Sequence, residues 1–452
     1  MRRGLFQYGT AAHLAVLTAA PLFLFAFTGT ATHAIALTAL TLAALIWTVM
    51  NPAARAGELQ RDARRRIGAE IARDPFLAFS VAVLILLSVA AVNGGIALAY
   101  DAASSLWYLR EPLVPVLPAS VSGCGTLPLA GFFGVAAVYL GVRHALGGRE
   151  RRAYLLVAGV LAAAAVLSWK ALPSFGFKPV SLAATPGNPF GAGSLLGVYF
   201  LLTAVAWSES WLSSKPVAEL VAAAAGAVLL AGLMEYAPLA AFWAFVPAAV
   251  LAAAGGILPA AKRRSGADWL RTAVSFTILV SPVAFLLTGG ARPKFWPVFT
   301  EEFLALRKAA SAIAVEAWKN STHLGAGAGA YPLALGFHAS PEDWKALAIG
   351  QTAAPDGWVH FLFERGFLGA AMFLAGLALA LRDLILRFVR AGSAWSLGAR
   401  HLLGPLALAA VAAFVFTDCS FMQLEALMAP VAALALSAAS LPDPSDGEDD
   451  HG

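Results

Sequence analysis

Apolar runs of about 20 residues succeed one another along most of the chain, the length that crosses a hydrocarbon core about 30 Å thick. Hydropathy predicts about 12 such spans. They fall near 11–29, 33–50, 75–99, 127–146, 153–171, 193–212, 218–235, 238–260, 272–290, 357–381, 401–417 and 422–440. The predicted fold is an all-α polytopic membrane bundle. Most connectors are short, and three are not: 100–126, 172–192 and 291–356. The last is far longer than a connector, and loops of that size are functional or disordered. Trp296, Trp318 and Trp344 supply it with packing material and argue for order. Within it, Phe303, Leu306, Ala310, Ile313, Ala314, Ala317 and Trp318 recur at intervals of three and four. That spacing predicts an amphipathic helix on the outer membrane surface.

Composition strengthens the membrane reading. Hydrophobic residues make up 60% of the 452 and charged residues 13%, with mean hydropathy +0.74. A soluble surface requires about 25% charged residues. The chain therefore divides into 1–290 (nine spans), the outer loop 291–356, 357–440 (three spans) and an acidic tail, 441–452, expected to be disordered. Met1-Arg2-Arg3 before an apolar run resembles a signal peptide without a clear cleavage site. It is read as a retained first span.

Net charge +5 is a topology signal. With the N-terminus in the cytoplasm, 21 of the 31 Lys and Arg fall on short inner loops, among them Arg55 to Arg73 and Arg143 to Arg152. This is the positive-inside pattern, and it puts both termini in the cytoplasm. It also removes the reason to read the basic balance as nucleic-acid binding. Two cysteines, Cys124 and Cys419, exclude a disulfide framework or a cysteine-rich metal site. Both fall on the outer side, where they are either paired with each other or packed beside spans.

Three outer segments carry chemistry. Arg307 lies at the edge of the apolar face of the surface helix. It either snorkels to headgroups or presents a guanidinium fork to a phosphate-bearing lipid. Gly325, Gly327 and Gly329 alternate directly afterwards, a pattern that fits a close-packed turn better than a phosphate cradle. His360 and Glu364 then share one face at the outer start of the tenth span, with Arg365 beside them. Ionisable groups there either pair structurally or line a cavity as acid and base.

This order of an arginine, a G-x-G-x-G turn and an E-x-G-x-x-G span start (Glu364, Gly366, Gly369) resembles the O-antigen ligase and polymerase superfamily. Upstream, Ala184-Thr185-Pro186-Gly187-Asn188-Pro189-Phe190 looks like the family's G-T-x-G-N-P-N signature. Downstream, Phe416-Thr417-Asp418 looks like its H-x-x-V-D stretch. The resemblance covers about 180–440. It implies a GT-C-like bacterial inner-membrane glycosyltransferase of lipopolysaccharide or exopolysaccharide biosynthesis. The donor it implies is an undecaprenyl-diphosphate-linked glycan; the acceptor is a glycan, lipid A core or protein. Pro355 and Asp356 stand where the family has its His-Asn pair, and Ser181 where an arginine often precedes the N-P signature, with Lys178 the nearest cation. Either the acceptor-activating base shifts, with Asp356 or His360 as candidates and His338 ranked behind them, or the chemistry is altered.

Negative charge builds on the departing lipid diphosphate, so a fixed positive group is required there. No D-x-D motif occurs in an outer loop, and neither metal nor cofactor is expected. The expected catalytic residues are Arg307, Asp356 and His360. The expected substrate-binding residues are Lys178, Arg292, Lys294, Gly325, Gly327, Gly329, Glu364, Asn188 and Asp418. The alternatives are a 12-span secondary transporter or a lipid-linked oligosaccharide flippase. The short link between spans six and seven and the large outer loop argue against the former, and the outer loop against the latter.

Overall fold

The computed structural model describes residues 10–21, 30–51, 59–145, 193–212, 216–236, 266–287, 301–321, 323–343, 354, 356–390 and 424–440. These residues are mostly helical. Among them, five helices are long and apolar enough to cross a membrane: Thr32–Met50, Pro75–Val92, Thr126–Ala145, Pro216–Met234 and Gly357–Arg382. Shorter apolar helices cover Thr10–Pro21, Trp269–Ala284 and Met428–Ser437. The spans expected at 153–171, 238–260 and 401–417 lie outside the described residues.

Helix α1 (Thr10–Pro21) and α2 (Thr30–Met50) lead to a short basic helix, α3 (Gln60–Ala72). The next helix, α4, covers Pro75–Val92. Its start is specified locally, because the Asp74 side chain accepts from the Phe76 amide (2.9 Å) and Pro75 occupies the first turn. Phe76, Ser80, Val83, Leu87 and Ala90 recur at helical spacing and are buried. They face α5 (Thr126–Leu140), whose residues from Ala130 to Leu140 are almost all buried, so α5 runs through the middle of the bundle. A π turn, Gly141–Ala145, extends α5. Helices α6 (Gly193–Leu212), α7 (Pro216–Tyr236) and α8 (Gly266–Leu287) form a second packed set. The Tyr199 hydroxyl joins that set to α1 by donating to the Thr18 carbonyl.

The third span, expected to run to 99, stops at Val92, and a small three-stranded sheet is added there to the helical bundle. Asn93, Gly94 and Gly95 break the helix, and the following Ile96-Ala97-Leu98-Ala99-Tyr100 alternates with a period of two. These residues form β1 (Gly94–Asp101), which pairs antiparallel with β2 (Leu106–Arg110) in the register Tyr100↔Trp107. β3 (Ser120–Val121) pairs parallel on the other edge of β1.

The loop 291–356 is ordered where it is described. It holds α9 (Glu301–Lys319) and α10 (Tyr331–His338). The tenth span, expected from 357, starts there as α11 (Gly357–Arg390). A 3-10 turn, Leu424–Leu427, leads into α12 (Met428–Ser440). Ala310, Ile313, Ala314 and Ala317 of α9 are buried with Tyr331, Leu335, Phe363 and Ile96, so these segments have a core of their own. The apolar face read from the sequence is the face that packs.

Contacts between helix ends sort them into two groups. The start of α4 meets the end of α5 through Asp74 with Arg143 (3.2 Å) and His144 (2.8 Å). The starts of α7 and α8 meet through Glu219 and Arg271 (2.7 Å). The start of α1 meets the end of α2 through Thr10 and Asn51 (3.1 Å). At the opposite end of the bundle lie the end of α4 and the start of α5. There the Ser120 hydroxyl bonds Ala90 and a Cβ on Gly125 would strike Ala91.

Candidate functional site

The site is built on a break in α11. Gly366 has φ +62° and ψ −169°, a conformation essentially confined to glycine. The break separates a short helix ending at Arg365 from the long helix that follows. The stretch 325–329 lies against it. Ala326 donates to the Phe363 carbonyl (2.7 Å) and Gly327 to that of Glu364 (3.1 Å), while Phe367 donates to His323 (2.9 Å). On its other edge, Ala328 donates to Ala119 (3.1 Å) and accepts from Val121 (2.8 Å). The glycine stretch is thus a strip of backbone clamped between the helix break and β3.

That clamp explains the alternating glycines. A Cβ on Gly325 would stand 2.5 Å from the Gly366 nitrogen, and one on Gly366 would stand 2.4 Å from the Gly325 nitrogen. Gly327 faces Ile96, and Gly329 faces Cys124. A Cβ on any of these three glycines would therefore meet protein, as in a close-packed turn; Gly327 is buried, and Gly325 and Gly329 are half-buried.

The clamp also fixes a carboxylate. Glu364 Oε1 accepts from the Gly329 amide at 3.0 Å and lies 3.5 Å from the Tyr331 amide. Oε2 faces His360 Nε2 at 3.8 Å. The Ala354 amide points at His360 Nδ1 (3.5 Å), which assigns the proton of a neutral ring to Nε2, facing Glu364. The Tyr331 ring meets the imidazole edge-on at 5.1 Å. Cys124 is close by; burial and the charge of Glu364 push its thiol pKa up, which makes it a poor nucleophile.

A slender cavity of about 170 Å³ opens beside this group, among α4, α5, α11 and α12. It reaches from Ala90, Pro118 and Leu324 to Phe76, and Ala90 and Phe76 are 14 residues apart on α4, about 21 Å of helix. Its lining is apolar, with Phe79, Val83, Phe132 and Phe361 among it, and among the described residues the charged ones that line it are Glu364 and Arg365. The stem of Arg365 passes over Gly369, where a Cβ would meet the Arg365 Cβ at 2.4 Å.

The other expected residues divide plainly. Asp356 Oδ1 accepts from Trp358 (3.0 Å) and lies 3.4 Å from the Val359 amide, which makes Asp356 the N-cap of α11. Arg307 is half-buried on α9, one turn before Ala310, and is not part of the cavity lining. Lys178, Asn188, Arg292, Lys294 and Asp418 lie outside the described residues. The sequence reading left Arg365 unplaced between a pair with Glu364 and the cavity; the structure sets it in the cavity wall. It missed the contribution of 118–121, which closes the glycine strip, because nothing local in Pro118-Ala119-Ser120-Val121 announces a long-range pairing.

No protein-family model matches the chain, and a search of curated proteins finds no match to it. The functional reading therefore rests on the residues, their geometry and the motif resemblance.

Proposed function

We propose that the chain is a multi-pass glycosyltransferase of the bacterial inner membrane, with about 12 spans and both termini cytoplasmic. It would move an undecaprenyl-diphosphate-linked glycan to an acceptor at the outer face. The observation that carries this reading is the slender apolar cavity ending at Glu364 and Arg365. A lipid chain and a phosphate headgroup call for that combination of an apolar slot with a cation at one end.

The reaction would run as follows. The acceptor hydroxyl attacks the anomeric carbon, the bond from that carbon to the phosphate oxygen breaks, and the lipid diphosphate leaves with the electron pair. Arg365, with Arg307 as a second cation, stabilises the charge that builds on the leaving oxygens. The hydroxyl proton goes to a base. With its Nε2 proton turned towards Glu364, His360 is better suited to position the carboxylate than to accept the proton, and Glu364 Oε2 is the acceptor. Asp356 serves the helix start.

The test is a strain lacking the gene. Lipid-linked glycan should accumulate on the outer face, relieved by the wild type and not by Arg365→Ala, while Arg307→Ala, losing about 1.5–3 kcal/mol of charge-assisted bonding, should also cripple transfer. Single units or long chains in the stalled pool separate polymerase from ligase. Accumulation on the inner face points to a flippase. No accumulation, with glycan supply verified, leaves transport.

A further inference from the structure

The segment that follows β2, Pro112-Leu113-Val114-Pro115-Val116-Leu117, is apolar and largely uncovered. Leu113 is 70% exposed and Val116 77%, with Val114 and Leu117 also open. Such a run on a water-facing loop is unfavourable, since each large apolar side chain left exposed forgoes its burial energy. This loop is also rigidly placed. Asn93, the residue that ends α4, is buried. Its side-chain amide donates to the carbonyls of Val114 (2.9 Å), Leu117 (3.2 Å) and Pro118 (3.1 Å), and its oxygen accepts from the Val114 amide (2.8 Å). The loop is therefore held at the level of the last turn of α4.

That level decides what covers it. The outward face of α4 is apolar and bare: Val81 and Ile85 are exposed, and Val92 in the last turn is 79% exposed. In a helix long and apolar enough to cross a membrane, a bare apolar face is turned to lipid. The bonds from Asn93 bring the exposed segment 113–117 beside Val92, at the end of that face. Aromatic rings are favoured at the adjoining headgroup level, and Trp107 and Tyr108 on β2 are exposed as well.

We infer that residues 113–117, pinned by Asn93, insert into the hydrocarbon edge of the outer leaflet. The loop then forms a sill between bilayer and cavity, because Pro118 and Ala119, which follow it directly, are part of the cavity rim. In lipid an unpaired carbonyl is costly, and Asn93 pairs those of Val114, Leu117 and Pro118. The hairpin tip differs. Asp101 there accepts from the Ser104 hydroxyl (2.7 Å) and the Ala103 amide (3.0 Å) and is exposed, which suits water.

The inference is independent of the glycan reading, and its test measures depth. The full chain, with Cys124→Ala and Cys419→Ala, is placed in phospholipid nanodiscs and spin-labelled singly after Val116→Cys, Leu113→Cys, Ile85→Cys or Ala103→Cys. Collisions with oxygen, which concentrates in lipid, are compared with those of a water-soluble nickel chelate. At 113 and 116 the oxygen-to-nickel ratio should shift towards that of 85 and away from that of 103. A ratio like that of 103 would put the loop in water and overturn the inference. Shielding from both reagents would overturn it in favour of protein, either a second copy of the chain or another partner.

Discussion

Glu219 and Glu364 are both carboxylates inside an apolar bundle, and they are held in opposite ways. Glu219, fully buried in α7, takes Arg271 Nε at 2.7 Å and the Ser275 hydroxyl at 2.8 Å, and Ser275 in turn accepts from Trp207 (3.0 Å). A full positive charge answers the negative one, and three helices are joined. Asp74 follows the same rule with Arg143 and His144. Glu364 takes backbone amides on one oxygen and a histidine on the other, beside an apolar cavity. Amides fix the position of a carboxylate without cancelling its charge. The first arrangement makes a staple, and the second keeps a proton acceptor in place.

The comparison breaks first at the helix break. Gly366→Ala would set a Cβ 2.2 Å from the His323 carbonyl oxygen at a backbone conformation reserved for glycine. The conformation alone is worth about 1–3 kcal/mol, and the clash with backbone adds to it, so the expected loss exceeds about 3 kcal/mol. Thermal unfolding in detergent should show the drop. Trp318 fluorescence should change with it, because that ring rests on Phe367 just past the break (6.1 Å).

Next comes the staple. Arg271→Ala strands Glu219 and should cost about 3 kcal/mol. Glu219→Gln in the same chain should recover part of it, since the uncompensated charge is gone. An unfolding series on the two single variants and the double variant tests this. Additive losses would mean that the two residues are not coupled.

Asp74 gives a smaller, pH-dependent version. Burial pushes its pKa up, but the His144 hydrogen bond, the Arg143 charge and the Phe76 amide outweigh that and hold the carboxyl below its usual range. Its folded pKa is depressed, so its contribution is present above the unfolded value near 4 and lost as pH falls through the folded value. Asp74→Asn should remove about 1–3 kcal/mol at neutral pH and flatten the fall in stability below about pH 4. An equally steep fall in the variant would assign the acid sensitivity elsewhere.

Much of this was legible in the sequence, and the exceptions have a common cause. Spans near 33–50, 127–146, 193–212 and 218–235 appear as helices because membrane hydropathy is a local signal. The amphipathic face of α9 was legible for the same reason. The helix end at Val92 was missed because an apolar strand, Ile96 to Tyr100, continues the hydropathy of the span, although Asn93-Gly94-Gly95 marks the change. The site was half legible. Its glycines and Glu364 stand out as a spaced motif, whereas the pairing of 328 with 119–121 is a contact across about 200 residues that no local pattern encodes. Asp356 caps α11, and a carboxylate before a helix looks the same in sequence whether it caps, reacts or does both.

The smallest expected loss of stability is the sharpest test. Glu364→Gln keeps a carbonyl oxygen for the Gly329 amide, so the clamp should hold and unfolding should move by less than about 1 kcal/mol. A glutamine takes no proton, so glycan transfer should fall by about 10²-fold or more. His360→Gln should lower transfer less, because that ring positions a base that remains present. If Glu364→Gln instead unfolds the protein as Arg271→Ala does, the carboxylate is a staple after all. If the variant is stable and fully active, Glu364 has neither role. A stable, inactive variant alone puts the Oε2 carboxylate oxygen in the chemistry, because the substitution removes that acceptor and its charge while side-chain shape and the Gly329 amide bond persist.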